Sequence, residues 1–141
     1  MNLERITKLP DLARFIPKVL ALHSSLEGKW EPDLNSVEFF KSLLQRWEDS
    51  DYFFGAFKGD EIAYFAVITR ESKTKALFWL FYMNPSLRLE TKGILNELKA
   101  FMKAEKFSII YSQSTRTSSS YERWLEKFGA EKVAIVYKFK L

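Results

Sequence analysis

The sequence contains one apolar run that has no polar side, because residues 76–83, ALFWLFYM, are eight consecutive apolar positions. A strand that faces water on one side alternates apolar and polar residues. A short run without alternation is typical of a strand covered on both faces. The run therefore predicts a central strand, and such a strand needs other elements packed on both sides of its sheet.

The length and composition are those of one ordinary domain. A chain of 141 residues suits a single domain, 1–141, with one core. Aromatic residues make up 16% of the chain and include 13 Phe, which predicts a core of large flat side chains. The net charge is +4 and the charges are interspersed, so any bias is toward anionic partners. The absence of a basic run argues against nucleic-acid binding.

The lack of cysteine excludes several kinds of chemistry. Without Cys there is no disulfide, thiol nucleophile or thiolate metal site, and with His23 as the single histidine a His-rich metal site is excluded too. We therefore expect no metal. No run approaches the roughly 20 apolar residues that span a bilayer, and the first residues lack the apolar stretch of a signal peptide. The expected location is the cytoplasm.

Apolar periodicity and turn signals divide the chain into six strands and four helices. The predicted strands cover residues 3–7, 52–57, 62–69, 76–83, 108–112 and 133–139. The predicted helices begin near residue 11, at residue 35, after Pro85 and at residue 119. Hairpins alternate with helical crossovers, so we predict an α/β fold with a mixed central sheet of about six strands and four helices over both faces.

Cap and turn residues fix several of these boundaries. Asn35 and Glu38 form a capping-box pattern at the second helix. Gly59 lies in a hairpin turn, and Gly129 is expected to end the last helix in a left-handed conformation. Pro17 is expected to kink or delay the first helix. The apolar stripe predicted for the second helix consists of Val37, Phe40, Leu44 and Trp47.

That order of elements, at this length, resembles the GNAT N-acetyltransferase fold over essentially the whole chain. The family's motif is a strand ending in a turn, then a segment of the form R-x-x-G-x-G or R-G-x-G-I-G that opens a helix. The corresponding stretch here is FYMNPSLRLETKGILNEL, residues 81–98. In the family, backbone N–H groups and the helix N-terminus at this point bind the pyrophosphate of coenzyme A.

Two alignments of the motif fit, and each lacks one glycine. The first places Arg88 at the family's arginine, with Thr91 and Gly93 at its two glycines. The second aligns the helix with the family's K-G-I-x-x-x-L pattern, leaving Glu90 at the arginine and Leu95 at the later glycine. Thr91 could add a hydroxyl donor, whereas Leu95 would turn inward as core. Both alignments keep Gly93.

The resemblance implies an acyl-transfer site. Acetyl-coenzyme A would lie between the strands at 76–83 and 108–112, and an N–H near Met83 would stabilise the oxyanion. The acceptor would be an amine of a small molecule or peptide. The residues predicted to contact the coenzyme are Tyr82, Met83, Arg88, Thr91, Lys92, Gly93, Ile94 and Ser119. No general base is nominated by the sequence.

A second similar segment is YERWLEKFGAE, residues 121–131, which resembles the family's terminal Y-E-K-L-G-F. Aligned on Gly129, it has Leu125 where many members carry the tyrosine that protonates the departing thiolate. Tyr121 lies one helical turn earlier and is the predicted catalytic acid. The alternative is that Tyr121 packs under the first turn of its helix.

Two further alternatives stay open. His23 is either an exposed loop histidine, the reading that we favour, or part of an acceptor pocket. The motif lacks one glycine, the usual tyrosine is displaced, and the strand at 76–83 contains no Glu or Asp that could act as a base. These departures would also suit a catalytically inactive GNAT-like protein, such as a binding protein or a virion-associated or host-modulating phage factor. A homodimer is left open as well.

Overall fold

The fold is taken from a computed structural model that describes residues 1–25, 34–112, 123, 125–132 and 139–140. The chain begins with β1 (Arg5–Ile6), α1 (Leu9–Ser25) and α2 (Ser36–Glu48). Three strands follow, which are β2 (Tyr52–Lys58), β3 (Glu61–Arg70) and β4 (Lys75–Met83). A 3-10 helix (Pro85–Glu90) leads into α3 (Thr91–Ala104), and β5 (Ile109–Ser112) comes next.

The strands form one mixed sheet in the order β1-β2-β3-β4-β5. The first three pairs are antiparallel and the β4–β5 pair is parallel. The predicted α/β class with a mixed sheet is therefore confirmed. The strand count is corrected, because the described residues form five strands and not six. The strand predicted at 133–139 lies, except for its last residue, outside the described residues.

The helices divide between the two faces of the sheet. Residues of α1 and α2 pack against one face, and residues of α3 pack against the other. Of the four helices predicted, the described part contains these three, with a 3-10 helix before α3. The helix predicted from residue 119 begins outside the described residues, which include helical positions at 123 and 125–127. No helix in the described ranges is long and apolar enough to cross a membrane.

The strand that is buried on both faces is β3, not β4. Every residue from Ile62 to Ile68 is buried, whereas in β4 only Ala76 and Leu80 are buried and most of the others are half-buried. The apolar run at 76–83 was therefore correctly predicted as a strand, but its complete burial was wrong. The physical reason is its position, since β3 is the middle strand of the five that the structure describes.

In α2 the predicted cap is confirmed and the predicted stripe is wrong in part, since Trp47 packs against the core, Phe40 and Leu44 are half-buried and Val37 is exposed. The Asn35 side chain accepts a hydrogen bond from the Glu38 N–H at 2.9 Å and donates one to the Glu38 carboxylate at 3.0 Å. The buried residues are Phe39 and Leu43, and Val37 is 62% exposed. Both stripes have helical spacing, so periodicity alone did not distinguish them. Contact with the sheet decides which one is buried.

The turn predictions agree with the backbone. Gly59 has φ +61 in the β2–β3 hairpin, and Gly129 has φ +87. The N–H groups of Gly129 and Ala130 bond to the carbonyls of Glu126 and Leu125, which is the Schellman pattern of a helix end. Pro17 lies inside α1, and the helix continues without interruption on both sides of it.

A close contact between α1 and β2 makes Gly55 sensitive to substitution. A Cβ at this position would lie 2.8 Å from Cε1 of Phe15 and 3.2 Å from Cδ1 of Ile6. The Phe15 ring stacks on Phe57 at 4.3 Å and contacts Phe65 at 5.5 Å, so it has little room to move.

We therefore expect Gly55→Ala to lower the free energy of unfolding by about 1–3 kcal/mol, because it overpacks this contact. Gly93→Ala is the matched control, since nothing lies within 4 Å of a Cβ there. In a helical position the same methyl group should raise stability by up to about 1 kcal/mol. Urea denaturation measures both, and equal effects of the two substitutions would contradict the contact.

Candidate functional site

The sheet changes its pairing at the middle of β4. Parallel pairing with β5 runs from the pair of Lys75 and Ile109 to the pair of Phe78 and Ser112, and β4 continues to Met83. The antiparallel register with β3 also shifts here, because Val67 pairs with Leu80 while Ile68 pairs with Phe78. Trp79 is thus the extra residue of a β-bulge. The bulge lies directly after the last described β4–β5 pair.

The bulge also changes the direction of the side chains. Phe78 and Phe81 pack with the core on the α3 face, whereas Trp79 and Leu80, although adjacent, both pack with the core on the α1–α2 face. A bulge has this effect because it inserts one residue into the two-residue alternation of a strand. The second half of β4 consequently presents half-buried apolar side chains on both faces.

Asn84 joins the end of β4 to its surroundings and was not singled out from the sequence. Its side chain, 8% exposed, donates to the Ile62 carbonyl at 3.2 Å and accepts from the N–H and hydroxyl of Ser86 at 3.0 and 2.9 Å. Asn84 thereby caps the 3-10 helix at Pro85. The Asn-Pro pair after an apolar run is a turn signal that could have identified it.

The segment predicted as a phosphate loop is helical throughout most of its length. The 3-10 helix covers Arg88 and Glu90, and the N–H of Thr91 already bonds to the Arg88 carbonyl. The Thr91 side chain is 2% exposed, so its hydroxyl does not face solvent as an added donor. Leu95 is buried, as expected for a residue that turns inward.

The other predicted coenzyme contacts lie along one continuous path from the end of β4 to the first turn of α3. Tyr82 and Met83 are half-buried at the strand end, and Arg88, Lys92 and Gly93 are exposed. Ile94 is fully buried in the core, so its side chain cannot reach a ligand. A Cβ added at Gly93 would meet nothing within 4 Å apart from its chain neighbours and the backbone of its own helix. The two remaining predictions, Ser119 and Tyr121, lie outside the described residues.

The ionisable group at the strand end, Tyr82, is a very weak acid. Burial raises the pKa of Tyr82, and the nearby Glu61 carboxylate raises it further. Tyr82 is therefore protonated at neutral pH and can serve as a neutral hydrogen-bonding group. Glu61, also missed in the sequence, is 3.4 Å from the Asn84 side-chain amide.

His23 lies in the last turn of α1 and is 6% exposed, so the reading as an exposed loop histidine is wrong. Its ring stacks on Phe39 at 4.2 Å, and Phe39 stacks on Trp79 at 5.6 Å. The guanidinium carbon of Arg46 lies 5.3 Å from the Trp79 ring centre. A row of rings thus connects α1 to the bulge.

Within the described ranges, no three His, Cys, Asp or Glu side chains come together in an arrangement that could hold a metal ion.

Solved structures with the same fold are acetyltransferases. The aminoglycoside 6'-N-acetyltransferase AAC(6')-IG from Acinetobacter haemolyticus aligns with a TM-score of 0.71 and 10% identity over 100% of this chain and 98% of that one. AAC(6')-Iy, in complex with the bisubstrate analogue CoA-S-monomethyl-acetylneamine, aligns with a TM-score of 0.67 and 11% identity over 99% of this chain and 96% of that one. An acetyltransferase from Trypanosoma brucei aligns with a TM-score of 0.62 and 17% identity over 99% of this chain and 98% of that one.

The chain therefore has the GNAT N-acetyltransferase fold, as the order of its elements predicted. No protein-family model and no curated protein matches the sequence. At 10–17% identity the likeness concerns the fold.

The contacts of Asn84 predict a stability difference between two neighbouring substitutions. Asn84→Ala leaves the buried Ile62 carbonyl without the amide donor and removes the cap of Ser86, so we expect it to lower the free energy of unfolding by about 1–3 kcal/mol. Ser86→Ala removes only one exposed hydroxyl and should cost less than about 1 kcal/mol. Denaturant unfolding compares the two, and an equal or larger loss in Ser86→Ala would contradict the proposed cap.

Proposed function

We propose that the protein is an N-acyltransferase that transfers the acetyl group of acetyl-coenzyme A to an amine. The observation that carries the proposal is the bulge at Trp79, beyond which β4 has half-buried apolar side chains on both faces of the sheet. Bulges are common next to active sites, and the strand at a bulge can offer backbone groups to an extended ligand. Its half-buried apolar side chains suit a pantetheine arm.

The phosphates of the coenzyme would lie at the first turn of α3. Gly93 leaves room for a close approach to the backbone, and the helix N-terminus favours negative charge. Arg88 and Lys92 supply exposed cations beside it. The bond from the Thr91 N–H to Arg88 removes one donor, and the Ile94 N–H makes the first i→i−4 bond of α3, so Lys92 and Gly93 are the backbone positions that we assign to phosphate binding.

The chemistry follows from holding two reactants together. The lone pair of a neutral amine forms a bond to the acetyl carbonyl carbon, the C–S bond breaks, and sulfur leaves with the electron pair. Tyr121, which we retain as the proposed acid, gives its proton to the thiolate, and the proton lost by the amine returns to Tyr121 directly or through solvent. Positioning supplies most of the rate, and a backbone N–H of residues 79–83 would polarise the carbonyl.

The acceptor is proposed as an amine of a small molecule or peptide. Support comes from the names of the neighbours, which describe two of them as aminoglycoside N-acetyltransferases. The names support acetyl transfer to an amine and do not identify the acceptor of this protein. Which charges the acceptor carries depends on the side chains of this chain.

Binding of acetyl-coenzyme A tests the proposal. We expect a dissociation constant in the micromolar range or tighter, and about 2.7 kcal/mol of added stability at free ligand one hundred times that constant. Calorimetry and thermal unfolding measure the two. The absence of a heat of binding, together with an unchanged Tm at millimolar acetyl-coenzyme A, would contradict the proposal.

Two variants locate the binding. Gly93→Ala, which should fold at least as well as the parent, should bind about ten-fold more weakly, a loss of about 1.4 kcal/mol. Ala100→Ser, an exposed change further along α3, should bind as the parent does. Tyr121→Phe should lower turnover and leave affinity unchanged, and an unchanged rate would remove Tyr121 from the mechanism.

A further inference from the structure

The face of the sheet opposite α3 has a cation at the bulge. Trp79 points to the α1–α2 face, and Arg46, in the last turn of α2, lies over its ring. Residues 39 and 46 are two helical turns apart on α2, so Phe39 and Arg46 reach the same tryptophan from one side of the helix. The cation is therefore held by the same packing that positions the ring.

This face is where an acceptor would approach, if the proposed function is correct. The coenzyme phosphates are assigned to the N-terminus of α3, and α3 covers the other face of the sheet. A thioester lying along β4 beyond Phe78 would then be reached from the α1–α2 side. Trp79 is the bulged residue of β4, so Arg46 lies beside the part of the strand to which the thioester is assigned.

The charge of Arg46 has no close carboxylate partner in the part of the chain that the structure describes. Among the described residues, no acid lies within 4.0 Å of its guanidinium. Burial raises the pKa of Asp51, and this outweighs the lowering of that pKa by the positive charge of Arg46. Glu61 acts on Tyr82 at the far end of the strand. A guanidinium that stacks on a ring keeps its N–H groups free at the edge for a planar anion.

We propose that Arg46 selects an acceptor amine that also carries a carboxylate, which it binds beside the Trp79 ring. The inference rests on the proposed acyltransferase function and names the acceptor class for it. A guanidinium binds a carboxylate through two parallel hydrogen bonds. It repels a second ammonium group at the same place, so polycationic amines are disfavoured acceptors.

The test is a set of acceptors matched in length. Aminoalkanoates of three to six carbons, alkylamines and diamines of the same carbon numbers are assayed with acetyl-coenzyme A. We expect kcat/KM for the best aminoalkanoate to exceed that of the matching alkylamine about ten-fold, and that of the diamine by more. The substitution Arg46→Gln should remove this preference by raising KM for aminoalkanoates and should leave the alkylamine rate unchanged.

Two variants separate recognition from packing. Arg46→Lys should restore part of the preference, because it keeps the charge without the planar fork. Lys41→Gln, an exposed change on the same helix, should leave the preference intact. If Arg46→Gln lowers the rates for all three classes of amine equally, Arg46 only supports the fold of the site and the inference is overturned.

The remaining outcomes distinguish the two proposals. A preference for diamines, or turnover of none of these amines by protein that binds acetyl-coenzyme A, overturns the carboxylate inference and leaves the coenzyme-binding part of the proposed function standing. Failure to bind acetyl-coenzyme A overturns both.

Discussion

The hydrogen-bonding capacity of β4 is the constraint on which the rest of the structure depends. A strand has two edges, and its backbone donors and acceptors must find partners on both. One edge of β4 pairs with β3 along nearly its whole length, whereas the described pairing with β5 covers four residues, from Lys75 to Phe78. Trp79, the bulged residue, follows Phe78 directly. The proposed ligand site lies along the rest of the strand.

The packing on either side follows from this arrangement. α1 and α2 cover one face through Phe39 and Leu43, and α3 covers the other through Ile94 and Leu98. β3, between β2 and β4, is the strand that both layers bury. Side chains of β4 beyond the bulge are covered only in part, so the apolar run that first suggested a buried core strand becomes, in our proposal, the wall of a binding site.

Features that depend on a few neighbouring residues could be predicted from the sequence. The Asn35 cap, the Gly59 turn and the Gly129 helix end each follow from local backbone chemistry, and all three agree with the structure. The order of elements followed from periodicity and sufficed to predict the GNAT fold. For the site, the sequence located the path from Tyr82 to Gly93, whose coenzyme contacts remain predictions.

Features that depend on distant contacts were not predictable in this way. The buried side of α2, the burial of His23 and the partial exposure of β4 are all set by which element packs against which. The same holds for Arg46, since nothing in the sequence connects it to Trp79, 33 positions later. Asn84 is intermediate, because the Asn-Pro pair marks a turn but its bond to Ile62 requires the sheet.

Amide hydrogen exchange along β4 tests the central claim most directly. Amides of residues 76–78, which lie between β3 and β5, should exchange slowly with and without ligand. In residues 79–83, the amides that point away from β3 should exchange rapidly in the free protein and slowly with saturating acetyl-coenzyme A. Slow exchange of these amides in the free protein, or rapid exchange that the coenzyme does not change, would contradict the account.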